Sequence, residues 1–236
     1  MLTKFNKFVY FYSVTCLLLF AFSVRAYSPN DDFSSPITTK ANRVFYTGAL
    51  LTTTVFIYRN EISKPLQRSL IKHRPLVHYN YWGEFAGHLY PNAIYILGQS
   101  FIGEKDRALG MLRATLYSSF VVVNLKHTFK IGRPNYETKL DSFPSGHTTT
   151  AFAFAGFVSA EHGPLYGILA NVMATFTALS RMTDNRHWFH DVLAGATIGV
   201  SYGLGINYVQ KQSTLDLSFI PNYSHDYKSV SVELTF

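Results

Sequence analysis

Cysteine is nearly missing from this chain: 236 residues contain one, Cys16. A lone thiol excludes an internal disulfide framework and any zinc site built on paired cysteines. Charge is also scarce. Asp, Glu, Lys and Arg make up 15% of the residues, a thin polar coat for a chain long enough to bury one sizeable core. Acids are the rarer sign, 14 against 21 Lys and Arg, for a net charge of +7. That balance favours anionic substrates or membrane surfaces, and it is too weak to point to nucleic acid. Long uninterrupted apolar runs are wanting too, since a span asks for about 20 residues. Val44–Tyr58 is short, Arg113 interrupts Ala108–Leu125, and His88, Asn92 and Gln99 dilute Phe85–Ile102. No G-x-S-x-G elbow surrounds Ser145, and no His, Cys, Asp and Glu cluster has convincing divalent-metal spacing.

What is abundant is apolar and aromatic. Hydrophobic residues reach 47%, and 20 Phe and 16 Tyr dominate an aromatic share of 16%. This predicts burial against lipid, an apolar ligand or another chain. Residues 1–26 read as a secretory signal: Lys4 and Lys7, then apolar Phe8 to Phe22, then Val24-Arg25-Ala26 before the expected cut. Losing Lys4, Lys7 and Arg25 with it lowers the charge from +7 to +4. Residues 27–42, with Pro29, Pro36 and several Ser and Thr, predict a flexible leader.

Six segments then predict helices: Val44–Tyr58, Phe85–Ile102, Ala108–Leu125, Thr148–Ala160, Leu165–Leu179 and Val192–Tyr208. Glu61 to Arg74 carries Ile62, Leu66, Leu70 and Ile71 at near-helical spacing, a surface helix packed on the core. Residues 213–236 alternate around Pro221-Asn222 and predict a small β-hairpin. The expectation is an all-α domain over residues 43–212, a bundle of about six core helices with its site at helix ends. After an exported N-terminus, three crossings would leave Lys126 in the cytoplasm, so the parity favours a periplasmic, membrane-associated bundle.

Three stretches carry the chemistry: Lys126-x6-Arg133-Pro134, Pro144-Ser145-Gly146-His147, and Ser180-Arg181-x5-His187-x3-Asp191. Arg133 and Arg181 each offer a planar fork to phosphate oxygens, and Lys126 adds a compact charge. Pro134 is expected to end the helix that precedes it. Gly146 lets backbone amides approach an anion at a helix N-terminus. Ser145 either donates to that anion or caps the helix. His147 is set to reach a substrate oxygen. His187 and Asp191, four apart, share a face if their helix starts early enough. The carboxylate then fixes the imidazole tautomer and leaves Nε2 free to attack phosphorus.

These motifs, spanning Lys126 to Asp191, resemble those of the type 2 phosphatidic acid phosphatase and vanadium haloperoxidase superfamily. The resemblance implies an α-helical bundle and no metal or other cofactor. It implies that Lys126, Arg133, Arg181, Ser145 and the Gly146 amide hold phosphate. His187 would form a phosphohistidine, Asp191 would orient it, and His147 would protonate the leaving oxygen and then help water. A lipid phosphate or diphosphate is the expected substrate, met at a membrane surface. The motifs equally admit an exported acid phosphatase or phosphotransferase on soluble phosphomonoesters, a haloperoxidase, or a non-catalytic envelope phosphate-binding protein.

Overall fold

The computed structural model describes residues 28–76, 78–212, 216–223 and 228–235. The signal expected at 1–26 lies outside the described residues. The helical unit runs from Pro29 to Gln212 in the order α1 (Pro29–Thr38), α2 (Asn42–Ile57), α3 (Ser63–His73), α4 (Asn80–Gly87), α5 (Tyr90–Phe101), α6 (Lys105–Phe129), α7 (Gly146–His162), α8 (Pro164–Thr183) and α9 (Phe189–Gln212).

α7 and α9 form the central pair, with α8 against α7 and with α1, α2 and α6 against α9. Their approach is written in a stripe of glycines. A Cβ on Gly195, Gly199 or Gly203 would lie 2.6, 2.4 or 2.5 Å from the carbonyl oxygens of Ser145, Thr149 and Ala153. Only glycine at each fourth residue lets the two backbones meet so closely, as small-residue stripes do between tightly packed helices. Met111, Phe157 and Ile206 fill the adjoining core and are fully buried.

The expected flexible leader is corrected by α1. Asp32 is buried and pairs with Arg113 of α6, Nη1 to Oδ1 at 2.8 Å. Arg113 Nη2 also donates to Gln210 of α9 at 2.9 Å, and Tyr202 Oη donates to the Phe33 carbonyl at 3.0 Å. Those partners lie far along the chain, so the local polarity of residues 29–38 gave no sign of them. The predicted helix over Phe85–Ile102 is also corrected, because it is two helices. α4 ends at Gly87, His88 takes extended backbone angles, and α5 restarts with Pro91 in its first turn, where proline costs no hydrogen bond.

Many large apolar side chains face outward, among them Leu50 and Ile57 on α2, Ile94, Leu97 and Phe101 on α5, and Ile168, Leu169 and Val172 on α8. Among the described residues, two helices, α6 and α9, are long and apolar enough to cross a membrane; the apolar stretch of α9 is 67% buried inside the protein, that of α6 39%. At the C-terminus β1 (Asp216–Tyr223) pairs antiparallel with β2 (Lys228–Thr235), Leu217 opposite Leu234 and Phe219 opposite Val232. The strand continues through Pro221-Asn222, with Pro221 opposite Val230, so these two residues do not break it as the sequence pattern suggested.

Candidate active site

The three motifs meet where the last turns of α6 and α8 come to the first turns of α7 and α9. Lys126, in the last turn of α6, donates from Nζ to the Asp141 carbonyl at 2.5 Å. α6 stops before Pro134 is reached. Lys130 adopts φ 47° and closes the helix, leaving Arg133 on the loop that follows. Arg133 donates from Nε and Nη2 to the two carboxylate oxygens of Asp141, at 2.6 and 3.0 Å. Asp141 thus organises both cations, through its carbonyl and its carboxylate, although no distinguishing spacing marks it in the sequence.

Ser145 sits at the N-cap position of α7, fully buried, but its side chain makes no capping bond. Its hydroxyl accepts from Thr148 Oγ1 at 2.9 Å, and its amide donates to the Asp191 carbonyl at 3.0 Å. At Gly146 a Cβ would meet nothing nearer than Val122 Cγ1 at 3.9 Å. Packing therefore does not require this glycine. Its value is the open approach it leaves to the amides of the helix end, where an anion is favoured.

His187 precedes α9 rather than belonging to it, yet the predicted partnership with Asp191 is present. His187 Nδ1 stands 3.6 Å from Asp191 Oδ2, with both side chains buried. That distance is ion-pair range and longer than a hydrogen bond. The same oxygen accepts from Ser142 Oγ at 2.5 Å and from the Trp188 amide at 2.8 Å. Asp191 Oδ1 faces His190 Nε2 at 3.3 Å, and His190 Nδ1 lies 3.1 Å from Ser63 Oγ of α3. The carboxylate thus stands between two histidines. Helical spacing put His190 on another face and pointed to neither Ser63 nor Ser142. Trp188 Nε1 donates to the Gly132 carbonyl at 2.9 Å and joins the His187 and Arg133 loops.

Arg181, in the last turn of α8, is buried and donates from Nη2 to Asp184 Oδ2 at 3.1 Å. Its Nη1 lies 4.0 Å from Glu84 of α4. That short helix is drawn in by two glycines. A Cβ on Gly83 would strike Ser180 Oγ at 2.1 Å, and one on Gly87 would strike His147 Cβ at 2.7 Å. The residue after each glycine, Glu84 and His88, is thereby brought beside the motif residues. The His88 and His147 rings lie 4.6 Å apart.

The electrostatics follow from burial among cations. Burial, then Arg181, His88, His187 and Arg133, push the His147 imidazole down to about 3. His187 is also held below the usual imidazole range, by burial that outweighs the opposing attraction of Asp191. Burial likewise lowers Lys126 to about 8, against the pull of Asp141. Burial alone would raise Asp191, but His187, His190 and Ser142 outweigh it and hold the carboxyl below its normal range. The site accordingly keeps an ionised carboxylate behind a neutral imidazole, with fixed positive charge in front. This suits an anionic electrophile attacked by nitrogen.

Residues 107–215 match the model of the PAP2 superfamily. Over 81 residues, the chain is 44% identical to the lipid A 1-phosphatase of Porphyromonas gingivalis, a stretch covering 33% of this chain and 18% of that protein. It is 27% identical over 108 residues to the lipid A 1-diphosphate synthase of Escherichia coli, covering 46% of this chain and 42% of that one. The chain thus spans less than half the length of either relative. Its fold is similar to that of Aquifex aeolicus LpxE, with a TM-score of 0.55 at 24% identity over 61% of this chain and 93% of that one. It is also similar to a transmembrane PAP2 type phosphatidylglycerolphosphate phosphatase from Bacillus subtilis, with a TM-score of 0.57 at 20% identity over 76% and 97%. At these identities the structural likeness speaks for the fold.

Proposed function

We propose, from the premise that this chain belongs to the PAP2 superfamily, that it is a metal-independent phosphatase acting on a lipid phosphate or diphosphate. The observation that carries the reading is the buried His187–Asp191 pair set among Lys126, Arg133 and Arg181. The charge of Lys126 and Arg133 acts on His187, and that of Arg181 and Arg133 acts on His147.

The phosphoryl group lies on the Gly146 end of α7, its oxygens held by Lys126, Arg133, Arg181 and the Ser145 hydroxyl. Nε2 of His187 attacks phosphorus, and its Nδ1 proton faces Asp191. A phosphorus–nitrogen bond forms as the phosphorus–oxygen bond to the lipid breaks. The leaving oxygen takes a proton from His147. A water then gives its proton to His147 and its oxygen to phosphorus, which frees His187 and inorganic phosphate. His147 is held neutral by burial and, after it, by the cations around it. The bound phosphate dianion offsets those cations, so the histidine gains its proton as substrate arrives.

Lipid is favoured over soluble phosphomonoesters by the apolar side chains turned outward on α2, α5 and α8. The relatives named for lipid A chemistry support the same choice. The site is proposed to work outside the cytoplasm at a membrane surface.

A phosphate-release panel on purified protein tests the reading, with phosphatidate, phosphatidylglycerophosphate, undecaprenyl diphosphate and lipid A, each with and without chelator. Release from at least one lipid, unreduced by chelator, is expected. His187→Ala should lower it by at least ~100-fold, the smallest loss expected for an essential catalytic group. Activity retained in that variant, or a strict metal requirement, refutes the mechanism.

A further inference from the structure

α4 brings two potential metal donors to His147, a motif histidine with an unpartnered ring nitrogen. Nε2 of His147 is buried without one. Glu84 and His88 are one helical turn apart, and their side chains touch at 3.8 Å. One donor atom from each of Glu84, His88 and His147 lies within 4.8 Å of the others. The arrangement is built in by Gly87, since a Cβ there would collide with His147 and with Thr177. The Gly87 carbonyl is held as well, accepting from Thr150 Oγ1 at 2.5 Å.

We propose that Glu84, His88 and His147 form a zinc site whose occupation switches the enzyme off. Two imidazoles and a carboxylate are a donor set suited to zinc, at bonds of about 2.0–2.2 Å. Tetrahedral geometry then needs donors about 3.3 Å apart. The partly exposed side chains of Glu84 and His88 have the freedom to close the remaining gap. Magnesium, which prefers six oxygen ligands, is not expected to compete. Arg181 lies 4.0 Å from Glu84 and opposes a dication there, so binding depends on the negative charge of Glu84 as well as on its lone pair.

The consequence follows from what the metal takes. A histidine ring fixed on zinc neither turns to the leaving oxygen nor carries a proton on the ligating nitrogen. Zinc therefore inhibits rather than assists, which is compatible with a mechanism needing no metal. The inhibition rests on the proposed role of His147; the binding does not.

The test uses calorimetric titration of zinc and of magnesium into the purified chain, beside phosphate release at buffered free zinc. One zinc per chain is expected, and no magnesium. Glu84→Gln and His88→Ala should each weaken zinc binding by at least ~10-fold, as loss of a ligand does at minimum. In both variants the inhibition should move to correspondingly higher zinc while most of the zinc-free rate remains. Unchanged affinity in either variant overturns the site. Stoichiometric zinc with undiminished phosphate release overturns the switch. A zinc-free chain that releases no phosphate refutes the phosphatase reading instead, and the titration still decides the site.

Discussion

At the scale of single residues, His147 links the proposed catalysis to acid sensitivity. Its folded pKa of about 3 lies below the 6.5 of an exposed imidazole, so the unfolded chain binds the proton more readily. The stability this neutral histidine supplies is complete above pH 6.5 and is lost progressively as pH falls toward the folded value. His187, shifted in the same direction, adds to the loss. Thermal melts between pH 7.5 and 4.5 should show Tm falling with acid, and His147→Gln should flatten that fall. A slope unaffected by the substitution contradicts the assigned burial. The eight motif residues were legible because cations, glycine and histidines recur at short, chemically meaningful spacings. Asp141, Ser142, Ser63 and His190 were not. Their importance comes from contacts that the fold creates: Ser63 is 127 residues from its histidine, and Ser142 is 49 from its carboxylate.

Among the elements, the α7–α9 pair makes the sharpest demand on side-chain size. Alanine is ordinarily about 1 kcal/mol better than glycine inside a helix. At Gly199 its methyl would fall 2.4 Å from the Thr149 carbonyl, and forcing helices apart costs about 1–3 kcal/mol. The second effect should win. Gly199→Ala is expected to lower Tm and, by displacing the α7 end, to reduce activity as well. Calorimetry with kinetics on the same preparation checks both, and a raised Tm would refute the close approach. Helix positions were legible from apolar runs. The break between α4 and α5 is hard to read because apolar residues dominate Phe85–Ile102 on both sides of it, although Pro91 marks the restart. α1 was missed for the opposite reason, since its polar residues are buried by partners on α6 and α9.

For the whole molecule, the outward apolar faces bear on the proposed action at a membrane surface. Leu97 is 54% exposed and Phe101 87%. Burying a side chain of this size in an apolar phase contributes about 1.5–3 kcal/mol. Leu97→Ser with Phe101→Ser should therefore weaken partitioning into anionic phospholipid vesicles by at least ~100-fold. Turnover of a short-chain soluble phosphate ester should stay level. Co-flotation with vesicles, paired with that assay, separates loss of lipid contact from loss of folding.

Asp191 touches the site with both of its ends. Its carbonyl takes the Ser145 amide at the edge of the proposed anion cradle, and its carboxylate faces His187, the proposed nucleophile. One residue is thus the common datum for nucleophile and cradle. A substitution that displaces Asp191 would therefore disturb the His187 contact and the Ser145 contact together.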